Sequence, residues 1–364
     1  MRSKTSLPAR GTRFLLSMLV VAGVIGGGLL ECSRPRTPAE VEGEQTFARM
    51  CAVCHGKGGE GYAADRAPSL DDPAFLESAS ADFIRKAIEN GRSGSTMSAW
   101  SRSRGGPLHS TEIDSLIIAM RSWGTRQRAT LDESPLSGDG TKGADLFAHE
   151  CASCHGERGV GGTYVQIGNA ELLGSATNGF LRYAIRKGRA SKGMPSFERK
   201  LGDASIDDVI AYLRSVQRAA PPQARPIAAK APPIPLGPVP LNPKGPEPDG
   251  FHALPSMTSA DVVKRELDRG AKMAILDARA PSDYTSEHIA GAVSVPFYDP
   301  EPYFSGLPRD AWLVCYCGCP HAESGTLARK LLAEGFTKVT IIDEGLGYWR
   351  SHHYPLEPPE PKAP

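Results

Sequence analysis

Two pentapeptides carry the plainest chemistry in this chain: Cys51-Ala52-Val53-Cys54-His55 and, at an offset of 100, Cys151-Ala152-Ser153-Cys154-His155. Cysteines at i and i+3 on a helix lie one turn apart, so both thiols can add to the vinyl groups of one haem. The histidine that follows then falls beneath the iron as a proximal ligand. C-x-x-C alone is shared with zinc sites and thioredoxin-like pairs. The adjoining histidine and the second copy single out covalent haem. The sequence therefore predicts two covalently bound haem c groups, attached through Cys51 and Cys54 and through Cys151 and Cys154, with His55 and His155 on iron. The remaining cysteines are Cys32 and a cluster of three, Cys315, Cys317 and Cys319. That distribution does not resemble a disulfide framework.

The elements that hold the two motifs are repeated as well. Gly43, Phe47, Ala48, Gly56, Gly59 and Gly61 recur at an offset of 100, and Ala87-Ile88 and Gly91-Arg92 recur at 97 as Ala184-Ile185 and Gly188-Arg189. A duplicated unit of about 80 residues explains this. Glu44 to Cys51 and Ala144 to Cys151 suit a helix entering each motif. Ile113, Leu116, Ile117 and Met120, and again Ile206, Val209, Ile210 and Leu213, have the spacing of an apolar helix face closing each unit.

On these residues each unit resembles a small class I cytochrome c, over 41–124 and 141–218. The resemblance implies an all-α fold and a methionine thioether as sixth ligand, from a loop before the last helix. Met97 and Met194 stand there, in Thr96-Met97-Ser98-Ala99-Trp100 and Gly193-Met194-Pro195-Ser196-Phe197. Met120 competes in the first unit, but its spacing puts it on a packing face. His/Met ligation raises the potential and fills both axial positions, which suits electron transfer over chemistry at iron. The proximal-loop proline whose carbonyl orients the histidine matches Pro68. Ile167-Gly168-Asn169-Ala170 in the second unit offers no such proline, so that bond is left without a partner and the two potentials are expected to differ.

Residues 1–32 read as an export segment. Arg2, Lys4, Arg10 and Arg13 precede the apolar run Phe14 to Leu30, and Cys32 follows in Leu29-Leu30-Glu31-Cys32. That tetrapeptide resembles a bacterial lipobox, which implies lipidation of Cys32. Glu31 departs from the small residue usual there, so an uncleaved transmembrane helix is the alternative. Both place the rest on the periplasmic side of a bacterial inner membrane, tethered as a lipoprotein or by a signal anchor. A net charge of +1 argues against nucleic acid as a partner. Seven basic residues between Phe180 and Lys200 form either a solvated face or a patch that steers an acidic redox partner protein.

Residues 125–140 are a short linker. Residues 219–250 hold eleven prolines and are expected to be an extended spacer. Beyond it, 254–357 alternates short apolar strands with helices, the pattern of a parallel sheet covered on both faces. Leu276-Asp277-Ala278-Arg279, Tyr284 to Pro296 and Asp343-Glu344-Gly345-Leu346-Gly347-Tyr348-Trp349 resemble the signatures of a rhodanese domain. The fold class is thus multidomain: two all-α cytochrome c domains followed by an α/β rhodanese-like domain with a parallel sheet.

In the rhodanese family the catalytic cysteine ends the central strand, and Cys317 occupies that position. The resemblance implies a thiolate, stabilised by loop amides and a helix N-terminus, that carries sulfane sulfur from small sulfur compounds as a persulfide. The loop Gly318-Cys319-Pro320-His321-Ala322-Glu323-Ser324 is one residue long for the family and has no arginine. His321 is the candidate replacement for that positive charge, and Cys319 the candidate resolving thiol. The expected protein is a membrane-tethered electron carrier linked to sulfur redox chemistry, with sulfurtransferase activity. The alternative is an inactive rhodanese module that serves as sensor or docking element.

Overall fold

The computed structural model describes residues 35–62, 66–124, 127–217 and 239–357. Cys32, the export segment, most of the proline-rich linker and the last residues of the chain lie outside the described residues. Each helical unit begins with a helix that its sequence caps. Thr37 and Glu40 form a capping box on α1 (Pro38–Thr46), which runs through a π turn, Phe47–Cys51, into α2 (Ala52–His55). Asp72 caps α3 (Pro73–Ser78) and Ser80 caps α4 (Ala81–Asn90), and α5 (Ser110–Ser122) closes the unit.

The second unit repeats the order. Asp139 caps α6 (Gly140–Glu150), and α7 (Ala152–His155) carries the motif. Asn169 caps α8 (Ala170–Ser175) and Thr177 caps α9 (Asn178–Lys187), at an offset of 97 from their counterparts. The last helix is α10 (Asp203–Val216). The apolar face read from the sequence is buried in both closing helices: Ile113, Leu116, Ile117 and Met120 on α5, and Ile206, Val209, Ile210 and Leu213 on α10.

First and last helices pack at a glycine. A Cβ on Gly43 would lie 2.0 Å from the backbone oxygen of Ser115, and one on Gly143 would lie 1.9 Å from that of Asp208. No side chain fits between those backbones, so glycine sets how closely the two helices approach.

The third unit comprises α11 (Ala260–Asp268), β1 (Met273–Asp277), α12 (Pro281–Ser286), β2 (His288–Ile289), β3 (Val293–Ser294), β4 (Trp312–Tyr316), α13 (Ala322–Ala333), β5 (Val339–Ile341), α14 (Gly345–Ser351) and β6 (Leu356–Glu357). Four strands form a parallel sheet in the order β3-β1-β4-β5, with Met273 opposite Trp312 and Asp277 opposite Tyr316. β2 and β6 pair antiparallel beside it. The parallel sheet follows from wholly buried strands alternating with helices.

The linker differs from expectation where it is described. Lys272 donates its backbone N–H to Pro246 at 2.8 Å, and Asn242 Nδ2 donates to the Gly270 oxygen at 2.7 Å. These bonds lay the end of the linker on the α/β unit.

Contacts join the three units. Phe83 and Phe180, equivalent by the offset of 97, face one another with centroids 4.7 Å apart. Asn169 Nδ2 donates to the Ser93 oxygen at 2.8 Å, and the Tyr183 hydroxyl donates to Glu77 at 2.8 Å. The α/β unit packs on the Met97 loop of the first unit. There Ser98 Oγ donates to Asp283 at 2.7 Å, Ser282 Oγ donates to the Ala99 oxygen at 2.7 Å, and Trp100 lies 5.6 Å from Tyr298.

Substituting Gly143→Ala is expected to destabilise the protein by about 1–3 kcal/mol, because a methyl must force α6 away from α10. Gly347→Ala, where a Cβ meets nothing within 4 Å, is the control and is expected to leave the melting temperature unchanged or raise it. Thermal unfolding followed by far-UV circular dichroism compares the two.

Candidate functional site

The second motif opens onto a cavity of about 320 Å³. Cys151, Cys154, His155 and Met194 all line it, with Phe147, Ile167, Ile185, Val209 and Leu213 as apolar wall. Both candidate attachment thiols and both candidate axial groups thus border one space. The His155 ring presents Nδ1 to the Val165 oxygen at 3.0 Å, which leaves Nε2 free as a ligand atom. This is the donor set a c-type haem requires, and the residues fit the group. Burial lowers the basicity of His155, against the pull of the Val165 carbonyl, so the neutral imidazole needed for ligation is favoured.

In the first unit His55 is buried and Nδ1 lies 3.0 Å from the Pro68 oxygen, the partner the sequence assigns to it. Burial lowers its pKa too. Burial pushes the Cys51 thiol up to about 12 and Cys151 to about 11. Met97 is partly buried and packs against the core. Its loop is held at both ends, since Arg92 donates its backbone N–H to the Met97 oxygen and Trp100 donates to the Ile88 oxygen. Arg189 and Met194 repeat the first of these bonds.

Val165 is the residue that sequence reasoning missed. It stands at Pro68 plus 97, so the change of offset from 100 to 97 marks it. The three-residue deletion falls between the histidine and its carbonyl partner.

The two sites share a wall. Glu60, Gly61, Tyr62, Arg66, Ala67, Pro68 and Ser69 of the first unit line the second unit's cavity. Pro68 therefore accepts from His55 on one side and bounds the space above His155 on the other. Arg189 reaches across, 3.8 Å from Asp72 and over the Phe75 ring, and Lys192 lies 3.4 Å from Asp71.

The basic run between Phe180 and Lys200 is largely neutralised within the chain. Arg182 is 2% exposed and forms a paired contact with Asp207 at 2.6 and 2.8 Å. Arg186 pairs with Asp203, Lys187 with Glu198 and Lys200 with Glu150, in addition to the two cross-unit pairs.

In the α/β unit β4 delivers three cysteines to different surroundings. Cys315 is buried in the sheet. Cys317, only 1% exposed, follows the strand, and its sulfur lies 3.0 Å from Cys319 Sγ, 3.0 Å from the Cys319 oxygen and 3.3 Å from Ser324 Oγ. Cys319 Sγ lies 3.9 Å from Glu323 Oε2, and α13, which begins three residues later, packs against α2, the turn that carries Cys54. Thr96 of the Met97 loop stands beside Gly318.

The loop does not lower the thiol pKa as its family resemblance implies. Burial pushes Cys317 well up, the contact with Cys319 adds to this, and the amide of Ser324 opposes it only in part. His321 is not aimed at the thiols: it precedes α13 with a φ of 65° and its Nε2 lies 3.2 Å from Asp343 Oδ1. Arg279 is committed to Asp277.

Comparison with known proteins agrees with this division. The family model for cytochrome c oxidase, cbb3-type, subunit III matches residues 38–117 and 138–213, and that for the rhodanese-like domain matches 259–352. The chain carries cytochrome c electron-transfer domains in its helical part and a C-terminal rhodanese-like domain. It is 30% identical to the cbb3-type cytochrome c oxidase subunit FixP of Azorhizobium caulinodans, over 49% of this chain and 60% of that one. It is 29% identical to the cytochrome bc1 complex cytochrome c subunit of Mycobacterium leprae, over 55% of this chain and 72% of that one. The chain thus spans about three fifths of the length of the cbb3-type subunits it matches. The solution structure of a rhodanese-like domain from Anabaena is 29% identical, covering 30% of this chain and 83% of that one with a TM-score of 0.27. Such relatives imply covalently bound haem c. No helix among the described residues is long and apolar enough to cross a membrane.

Burial raises the carboxyl pKa of both Glu323 and Asp283, although Arg279 opposes it. Acids with raised folded-state values bind protons more tightly when folded, so stability is expected to fall as pH rises from the ordinary carboxylate range through those values. Glu323→Gln is expected to flatten that slope, measured as melting temperature across a pH series.

Proposed function

We propose that the protein is a dihaem electron-transfer protein of the bacterial periplasm, tethered to the inner membrane by its N-terminal segment. Sulfur redox chemistry at its rhodanese-like domain is tied to its haems. The observation that carries this reading is the wall shared by the two sites: Pro68 orients His55 and lines the cavity that holds His155 and Met194. Sites that close together, each offering a histidine and a methionine to hold iron, suit relay of electrons rather than turnover of a substrate at iron.

Haem c, when bound, supplies one-electron exchange at its iron. Cys51 and Cys54, and Cys151 and Cys154, would be its covalent anchors, and His55 and Met97, and His155 and Met194, would hold its iron. The carbonyls of Pro68 and Val165 hold the histidine rings in one tautomer and orientation. The apolar walls exclude water, which limits reorganisation when charge changes. A proline carbonyl in one site and a valine carbonyl in the other support unequal potentials.

At the third domain, Cys317 attacks the outer sulfur of a low-molecular-weight persulfide and becomes a persulfide while the donor leaves as a thiolate. An acceptor thiolate then removes that sulfur and Cys317 is restored. Ser324, whose amide and hydroxyl approach the sulfur, is the group that steadies the negative charge. The absence of an arginine from the loop disfavours thiosulfate, which needs a bidentate partner. A second reading rests on the burial of Cys317: a thiol this enclosed, with a raised pKa, suits a domain used for sensing or docking.

A redox-titrated spectrum of the full-length protein tests the first part. Two covalent haems per chain and a methionine-to-iron charge-transfer band are expected, with part of the band lost in Met97→Ala and part in Met194→Ala. A full band in either variant removes that ligand. Sulfur transfer by wild type against Cys317→Ser divides the two readings of the third domain. Equal rates assign it to sensing or docking.

A further inference from the structure

The cysteine cluster holds more than a sulfurtransferase needs. A persulfide carrier uses one sulfur, and here a second thiol stands 3.0 Å from it, within the same loop and inside the protein. The second thiol is buried like the first. Its loop leads into α13, which packs against the α2 turn carrying Cys54, and its sulfur lies 3.9 Å from the carboxyl of Glu323. Cys319 is 4% exposed and Glu323 5%. The surrounding contacts hold this apposition in place: Ser98 on Asp283, Ser282 on the Ala99 carbonyl, and Thr96 beside Gly318.

We propose that Cys317 and Cys319 are a reversible dithiol–disulfide couple that passes electrons to the first haem site through Cys54, and that the substrate feeding it is hydrosulfide. The inference rests on the reading of Cys317 as the sulfur-carrying thiol and adds its redox partner and its substrate class. In the oxidising step the two S–H bonds break and one S–S bond forms. Two protons are released, one of them by way of the Glu323 carboxyl, and two electrons leave singly to ferric c-type haem. In the second step hydrosulfide attacks the Cys317 sulfur, the S–S bond breaks, and Cys319 departs as a thiolate that takes up a proton. Cys317 now carries the added sulfur as a persulfide. An acceptor thiolate takes that sulfur away and the dithiol is regenerated. Summed over the cycle, one sulfide sulfur is oxidised to the sulfane level and two haem electrons are gained.

The direction follows from chemistry. Dithiols are far better electron donors than a haem held by histidine and methionine, so electrons run from the thiols to iron. Two one-electron acceptors match one two-electron donor. The route leads to the first haem site because α13, which follows Cys319, packs against the α2 turn that carries Cys54.

The test uses the full-length haem-loaded protein, reduced anaerobically, then oxidised with ferricyanide until the haem bands are fully ferric. It is quenched in acid and alkylated. Mass analysis of the peptide carrying Cys317 and Cys319 is expected to show both thiols protected as a mutual disulfide in wild type, with Cys315 alkylated as the internal reference. Cys319→Ser is expected to leave Cys317 alkylated and to consume one electron pair less in a reductive titration. Hydrosulfide is then expected to reduce the haems of wild type and to lose that ability with Cys319→Ser.

A wild-type peptide whose two thiols stay alkylatable after complete haem oxidation overturns the proposal. So does a metal ion bound in stoichiometric amount by Cys317, Cys319 and Glu323, whose ligand atoms lie within 4.8 Å of one another. Failure of the underlying reading looks different. If Cys317→Ser transfers sulfur from persulfide donors as wild type does, the sulfurtransferase reading falls, while the disulfide and the extra electron pair still uphold the couple.

Discussion

In both helical units the entering helix and the closing helix meet where one of them has no side chain. Gly43 lies against the backbone of Ser115 and Gly143 against that of Asp208, closer than any Cβ permits. The direction of α1 or α6 at that crossing sets where the helix ends, and the C-x-x-C-H motif follows that end. The histidine carbonyl partner, the loop bearing the methionine and the caps of the intervening helices are all placed relative to it. A duplicated gene that kept the glycine kept the site. That is why the two units retain the same order of elements although their loops differ in length.

Much of this was legible in the sequence because it is local. The motifs, the glycines and the apolar faces of α5 and α10 each occupy one or two helical turns, and the structure places them as their spacing implies. Val165 was hidden by chemistry, since any residue can lend a carbonyl. Only the slip in repeat offset between the motif and Gly188 betrays it. The neutral basic run was hidden for another reason. Arg182 looks like a surface charge in the sequence, and its partner Asp207 lies on a different helix, while the aspartates that hold Arg186, Arg189 and Lys192 also come from other segments of the chain.

The α/β domain shows the same division. Its strands and parallel order follow from short apolar segments, and the position of Cys317 at the end of the central strand follows from the family signature. The electrostatics of the loop did not. An open loop at a helix N-terminus lowers a thiol pKa, but Cys317 is buried, with Thr96 of the Met97 loop beside the neighbouring Gly318, and enclosure outweighs the amides. Nothing within residues 254–357 could announce that cover, because it is supplied from more than two hundred residues earlier in the chain.

The shared wall around Pro68 has a consequence for how the protein is assembled. Residues 66–69 sit between two sites, as a support for one histidine and as a lid for the other cavity. A second helical unit made alone would have its pocket open to water on that side, and a first unit made alone would leave Pro68 and its neighbours uncovered. Duplication therefore produced two copies that are no longer separable modules. Maturation inherits an order from this: the loop that follows the first haem motif has to fold before the second pocket is closed.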